Sequence, residues 1–152
     1  MIKLITREKI ITNVKAANRY NQLGALLNVI EGMKLPKETT DFIDLEIELL
    51  NTFSNEDKVF VKAIKEKENK IVKLLEKKHK IVPKKYYQTL WMVLGMSAFG
   101  LPMGVAFGLI MKNMGLLGIG FPIGMGIGVG VGAYLDKKAF NEGKQLDVEL
   151  KY

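Results

Sequence analysis

Over the first eighty residues, apolar and charged positions recur on a helical period. Ile10, Val14, Ala17, Leu23, Leu26, Leu27 and Ile30 suit one face of an amphipathic helix from about Arg7 to Glu31, and Gly32 and Pro36 mark its end. A second segment, Glu38 to Phe53, carries Asp41, Asp44 and Glu48 on its outer face. Its centre, residues 43–49, also alternates with period two, which leaves a strand open; Leu and Glu favour a helix, and Thr39 or Thr40 can cap it. Ser54 and Asp57 read as a capping box that opens a third helix running to about Lys80. Its apolar stripe of Phe60, Ile64, Ile71, Leu74 and Leu75 is interrupted at Lys67 and Glu68, and Glu66–Lys70 and Glu76–Lys80 are favourable i,i+4 pairs. The acidic second helix is suited to lie against the basic third. Stripes this thin bury a modest core, so the module is expected to lean on a membrane, a partner or another copy.

After Pro83 the pattern changes completely. Residues 86–135 contain a single charge, Lys112, and twelve of the fifteen glycines. Tyr86–Met111 and Asn113–Leu135 are uncharged. Each exceeds the roughly 20 residues that cross a ~30 Å hydrocarbon layer at 1.5 Å per residue. The expected fold is therefore an all-α membrane protein. A cytoplasmic module of about three helices (1–83) precedes a transmembrane helical hairpin (84–136, spans about 87–111 and 114–135), and a cytoplasmic tail (137–152) follows. The tail alternates Leu146, Val148, Leu150 and Tyr152 with polar residues, a weak strand-like or docking-peptide pattern. Residues 1–8 hold no apolar run of signal-peptide length, so the hairpin is expected to serve as its own insertion signal.

Charge adds orientation. The chain has a net charge of +7, and most of it precedes the first span. Lys84 and Lys85 flank the entry of span one, Lys137 and Lys138 the exit of span two, and Lys112 alone occupies the connection. The positive-inside rule then places both termini in the cytoplasm and the chain in the cytoplasmic (inner) membrane. Tyr86, Tyr87, Trp91 and Tyr134 supply an interfacial aromatic belt on the same side. The lysines of the N-terminal half are interleaved with glutamates and lack an aromatic platform, which disfavours nucleic acid as a partner.

The glycines are ordered. Gly100, Gly104 and Gly108 in span one, and Gly120, Gly124, Gly128 and Gly132 in span two, form small-xxx-small ladders that allow close helix approach. Gly118, Gly126 and Gly130 give span two a second glycine face, more than one hairpin partner requires. Gly100-Leu-Pro-Met-Gly104 is echoed by Gly120-Phe-Pro-Ile-Gly124, which suggests duplication, and Pro102 and Pro122 are expected to kink their helices. The Gly-x-Gly run from Gly124 to Gly132 resembles the hairpins of the ATP synthase rotor-ring subunit and of the small cristae-shaping subunit of the mitochondrial contact-site complex. A rotor needs a mid-membrane carboxylate, and residues 86–135 contain no Asp or Glu. The cristae subunit has no counterpart of residues 1–85. The chain more closely resembles small bacterial two-pass membrane proteins with glycine-zipper spans and Lys-rich flanks. That resemblance implies membrane location and self-association, and no activity.

Candidate chemistry is sparse. With no cysteine there is no disulfide, thiolate site or cysteine nucleophile, and no phosphate loop or nucleophile–base pattern is present. His79, the one histidine, reads as a solvated helix end, and the acidic set Asp41, Asp44, Glu46 and Glu48 as a surface facing the basic helix. The methionines at 92, 96, 103, 111, 114 and 125 could line a soft-metal path, but gap-filling beside glycine is their default use. The expectation is thus a non-enzymatic scaffold or anchor without cofactor or metal. Its partners would be the lipid bilayer, further copies of itself and a cytoplasmic protein. The alternative is an oligomeric pore or membrane-disrupting effector gated by the module.

Overall fold

The computed structural model describes residues 4–5, 14–53 and 58–150. Among them are five helices and two short strands: α1 (Val14–Glu31), α2 (Lys37–Asn51), α3 (Lys58–His79), β1 (Val82–Lys84), α4 (Tyr86–Ile110), α5 (Met114–Asn141) and β2 (Gln145–Glu149). Ile10, the proposed helix start at Arg7 and the Ser54–Asp57 capping box lie outside the described residues. The chain divides into two compact units. One is the N-terminal module up to Val82 together with Leu146–Leu150, and the other is Pro83–Gln145.

In the module, α3 packs against both α1 and α2. Leu23, Leu26, Leu27 and Ile30 of α1, Ile43, Ile47 and Leu50 of α2, and Phe60, Ile64, Ile71 and Leu75 of α3 form the buried core. Residues 43–49 are helical, so the period-two alternation there does not mark a strand. Neither Thr39 nor Thr40 caps α2, whose N-cap is Pro36. Thr40 donates instead to the Lys37 carbonyl, and the buried Thr39 hydroxyl pairs with His79 Nε2 at 2.9 Å. His79 is half-buried as a result, rather than a freely solvated helix end.

The apparent interruption of α3 is a buried polar seam. Lys67 Nζ lies 2.5 Å from Glu46 Oε2 of α2, with both side chains almost fully enclosed, and Lys70 reaches the other oxygen of Glu46 at 3.6 Å. Lys78 pairs with Glu38 further along the same helix contact. Glu68, on the α1 side, has no exposed surface; Gln22 Nε2 donates to both its oxygens at 3.1 Å and Arg19 lies 3.8 Å away. Burial pushes the Glu68 carboxyl above its ordinary pKa, against the opposing pull of Gln22, Arg19 and Lys65. Lys78 lowers Glu38, through a hydrogen bond before bare charge, and a hydrogen bond to Glu66 raises Lys70.

Two strands amend the all-α expectation. β1 and β2 pair in a two-stranded sheet, in which Val82, Leu146 and Val148 are buried. Helix α5 continues past the expected span end at 135 to Asn141 before the chain turns. Gly143 adopts φ +66°, its N–H donates to the Phe140 carbonyl, and the Lys144 N–H donates to the Ala139 carbonyl at 2.8 Å. This double closure is a Schellman stop, and it needs a residue that tolerates the left-handed region.

Candidate functional site

The C-terminal unit is built around its glycines. Helices α4 and α5 are each long and apolar enough to span a membrane, and only 22% and 17% of their most apolar windows are buried within the protein. Gly100, Gly104, Gly108, Gly120, Gly124, Gly128 and Gly132 are buried, while Val93, Phe99, Leu109, Ile110, Ile127 and Val131 face outward. That is the reverse of a water-soluble core, where large apolar residues go inside.

Backbone meets backbone along the seam. A Cβ added at Gly120 would lie 2.0 Å from the Gly100 carbonyl oxygen, at Gly124 2.5 Å from the Gly100 nitrogen, at Gly128 2.0 Å from the Trp91 oxygen, and at Gly132 2.4 Å from Gln88 Cα. From the other side, a Cβ at Gly104 would meet the Leu117 oxygen at 2.3 Å, and one at Gly108 the Met114 sulfur at 3.0 Å. Only hydrogen fits at most of these positions, so the approach is closer than any side chain permits. A Cβ added at Gly118, Gly126 or Gly130 would meet nothing within 4 Å.

One seam residue was not visible in the spacing. Gly95 is buried, and its Cβ would lie 2.3 Å from the Gly124 oxygen. It precedes Gly100 by five residues, which on a regular α-helix would turn it well away from the ladder. Residues Met96–Gly100 form a π-turn in which the Leu101 N–H donates to the Met96 carbonyl. This wider turn absorbs the extra residue and returns Gly95 to the ladder face. Pro102, which has no N–H to give, follows that turn directly at the start of the next α-helical segment. Pro122 is the third residue of the α-helical part of α5, after a 3-10 opening at Met114–Ile119. No α-type bond requires an N–H at that position, so Pro122 removes no α-type hydrogen bond.

The ends of the hairpin are closed by side chains. Between the helices Lys112 takes φ +49°, and the Asn113 side chain accepts from the Gly115 N–H at 3.0 Å. At the other end the N-cap position of α4 is Lys85, which has φ +59° and no acceptor to offer. Asp136 of α5 takes over: its carboxylate accepts from the Tyr87 N–H at 3.1 Å and the Gln88 N–H at 2.9 Å. These are the N2 and N3 donors that a local cap would serve, and they lie at the positive end of the helix dipole. Asp136 is buried, with 8% of its surface left exposed.

The same bond brings the flanking lysines to one end. Lys84, Lys85, Lys137 and Lys138 are all exposed there. Tyr86 and Tyr87 stack edge to face with centroids 5.3 Å apart, Trp91 is half-buried, and Tyr134 is largely exposed. Among the described residues no group of three or more His, Cys, Asp or Glu is gathered closely enough to hold a metal ion. No family model, no curated protein and no solved structure matches this chain.

Proposed function

We propose that the chain is a non-enzymatic integral membrane scaffold or anchor. Its hairpin crosses the bilayer twice, and its N-terminal helical module is presented on one side to a protein partner or to anionic lipid. The observation that carries this reading is the inversion of the C-terminal unit, with glycine inside and Val, Leu, Ile and Phe outside. Lipid chains solvate such a surface, and the close glycine seam supplies the van der Waals contact that a bilayer demands in place of a hydrophobic drive.

The four lysines at the Asp136 end, against Lys112 alone at the turn, set the orientation with both termini in the cytoplasm. Because α4 occupies the ladder glycines, self-association uses the open face of α5 that carries Gly126 and Gly130. Alkaline carbonate extraction followed by native mass spectrometry of the detergent-solubilised protein tests both parts. The chain is expected to remain in the membrane pellet, and to give a discrete oligomer that Gly126→Leu with Gly130→Leu dissociates. Release by carbonate would overturn the membrane reading, and a strict monomer would overturn self-association alone.

A further inference from the structure

We infer that the outward face of α4 at Ser97 receives, at mid-bilayer depth, a transmembrane helix of a partner protein that carries an Asn or Gln side chain as hydrogen-bond donor. The inference rests on the membrane reading above and adds the chemistry of a partner within the bilayer. Its basis is a pair of acceptors without donors. The α-type donor to the Ser97 carbonyl would be the Leu101 N–H, which goes to the Met96 carbonyl instead. The π-type donor would be residue 102, a proline, which has no N–H. The Ser97 carbonyl therefore lacks both of its helical donors, and among the described residues no side chain replaces them. The Ser97 hydroxyl gives its proton to the Val93 and Leu94 carbonyls at 3.2 and 3.1 Å, which leaves its oxygen as a second acceptor.

Depth turns these acceptors into a demand. Ser97 is exposed near the middle of α4, about 16–20 Å from either end at 1.5 Å per residue. Lipid tails hold no donor, and a backbone carbonyl left unmet among them is costly. A second copy does not answer it. Between Leu90 and Ala133 the side chains with a proton to give are Trp91, Ser97, Lys112 and Asn113; all but Ser97 lie toward the ends of the spans, and the Ser97 proton is already engaged. The fitting helix therefore belongs to another protein. Val93, Leu94 and Leu101 are exposed around the acceptors, so its matching face is apolar apart from the donor. A carboxamide brings two N–H groups, one for each acceptor.

The test places the full chain in phosphatidylcholine liposomes with a dansyl-labelled Leu/Ala transmembrane peptide that has Lys ends and one central Asn. A twin peptide carries Leu in that place, and both are kept too dilute in lipid to pair with themselves. Energy transfer from Trp91, the single tryptophan, reads binding. The wild type is expected to bind the Asn peptide about threefold to tenfold more tightly than the Leu peptide, the worth of one or two interhelical hydrogen bonds in a membrane. Pro102→Ala supplies the missing N–H, either to the Ser97 carbonyl directly or by letting the α-register close, and should bring the ratio close to unity. Pro122→Ala, at a position that withholds no α-type bond, should leave the ratio unaltered. Equal binding of the two peptides by the wild type, persistence of the preference in Pro102→Ala, or its loss in Pro122→Ala would overturn the inference and leave the membrane reading standing. Failure of the wild type to insert into the liposomes would overturn both.

Discussion

Alanine at Gly128 and alanine at Gly130 should have opposite consequences, although the two residues are neighbours on one helix. At Gly128 the new methyl would lie 2.0 Å from the Trp91 carbonyl oxygen, 2.7 Å from its carbon and 3.0 Å from Met92 Cα. All three are backbone atoms, which cannot swing aside as a side-chain tip would. Restoring an ordinary 3.4 Å contact requires α4 and α5 to part by about 1.4 Å at that point. Parting a packed seam by 0.5–1 Å already forfeits about a quarter to a half of each contact's attraction, and overpacking of this kind costs about 1–3 kcal/mol. At Gly130 nothing lies within 4 Å, so alanine meets no obstacle. It should stabilise the helix by about 0.5–1 kcal/mol through lower backbone freedom in the unfolded chain. The single tryptophan, Trp91, lies at the Gly128 contact and reports on it without labelling. Equilibrium unfolding in mixed micelles with increasing dodecyl sulfate, at fewer than one chain per micelle, should separate the two variants by roughly 2 kcal/mol or more. Equal midpoints, or a greater loss at Gly130, would refute the glycine seam.

Three further outcomes follow from the polar contacts. Asp136→Ala strips two N–H groups of their acceptor and should cost about 1–2 kcal/mol in the same micelle assay, whereas Asp136→Asn, which keeps an acceptor oxygen, should cost less. Glu46→Leu leaves Lys67 buried without its partner and should destabilise the module by about 3–5 kcal/mol, while adding Lys67→Met should recover most of the loss, as amide exchange over α2 and α3 would show. For Glu68 the folded pKa is raised, so the folded state holds the proton more tightly than the unfolded chain. Its contribution is therefore greatest below the ordinary carboxylate range, near 4.3, and is lost as pH rises through the elevated folded value. Glu68→Gln should flatten that dependence in the protection of α1 amides, corrected for intrinsic exchange, and an unchanged slope would count against the buried carboxylate.

What the sequence revealed and what it hid divide along the range of the interaction. The four-residue spacing from Gly120 to Gly132 is a local pattern, and those residues share one face of α5. Gly95 was hidden because its five-residue step to Gly100 is out of phase with an α-helix, and only the π-turn at Met96–Gly100 repairs the register. In α2, the helix propensity of Leu and Glu outweighed the period-two alternation of residues 43–49. Lys67 and Glu68 looked like a break in the α3 stripe because their partners, Glu46 and Gln22, come from other helices. The role of Asp136 is hidden for the same reason, since it caps a helix whose start lies almost fifty residues earlier. The alternation of Leu146, Val148 and Leu150 was legible as a strand pattern, but its partner β1 is three residues long with Pro83 at its centre, too short to announce itself.

The central claim is that the outward face of the hairpin lies in lipid. With no cysteine in the chain, single cysteines at Val105, Leu109, Ile127 and Val131 can each carry a nitroxide on the full protein in liposomes. Power-saturation spectroscopy then compares collisions with oxygen, which concentrates in the bilayer, and with a water-soluble nickel chelate. All four sites should be open to oxygen and closed to nickel. Free access of nickel to all four would mean that the apolar face meets water, and would contradict the membrane hairpin.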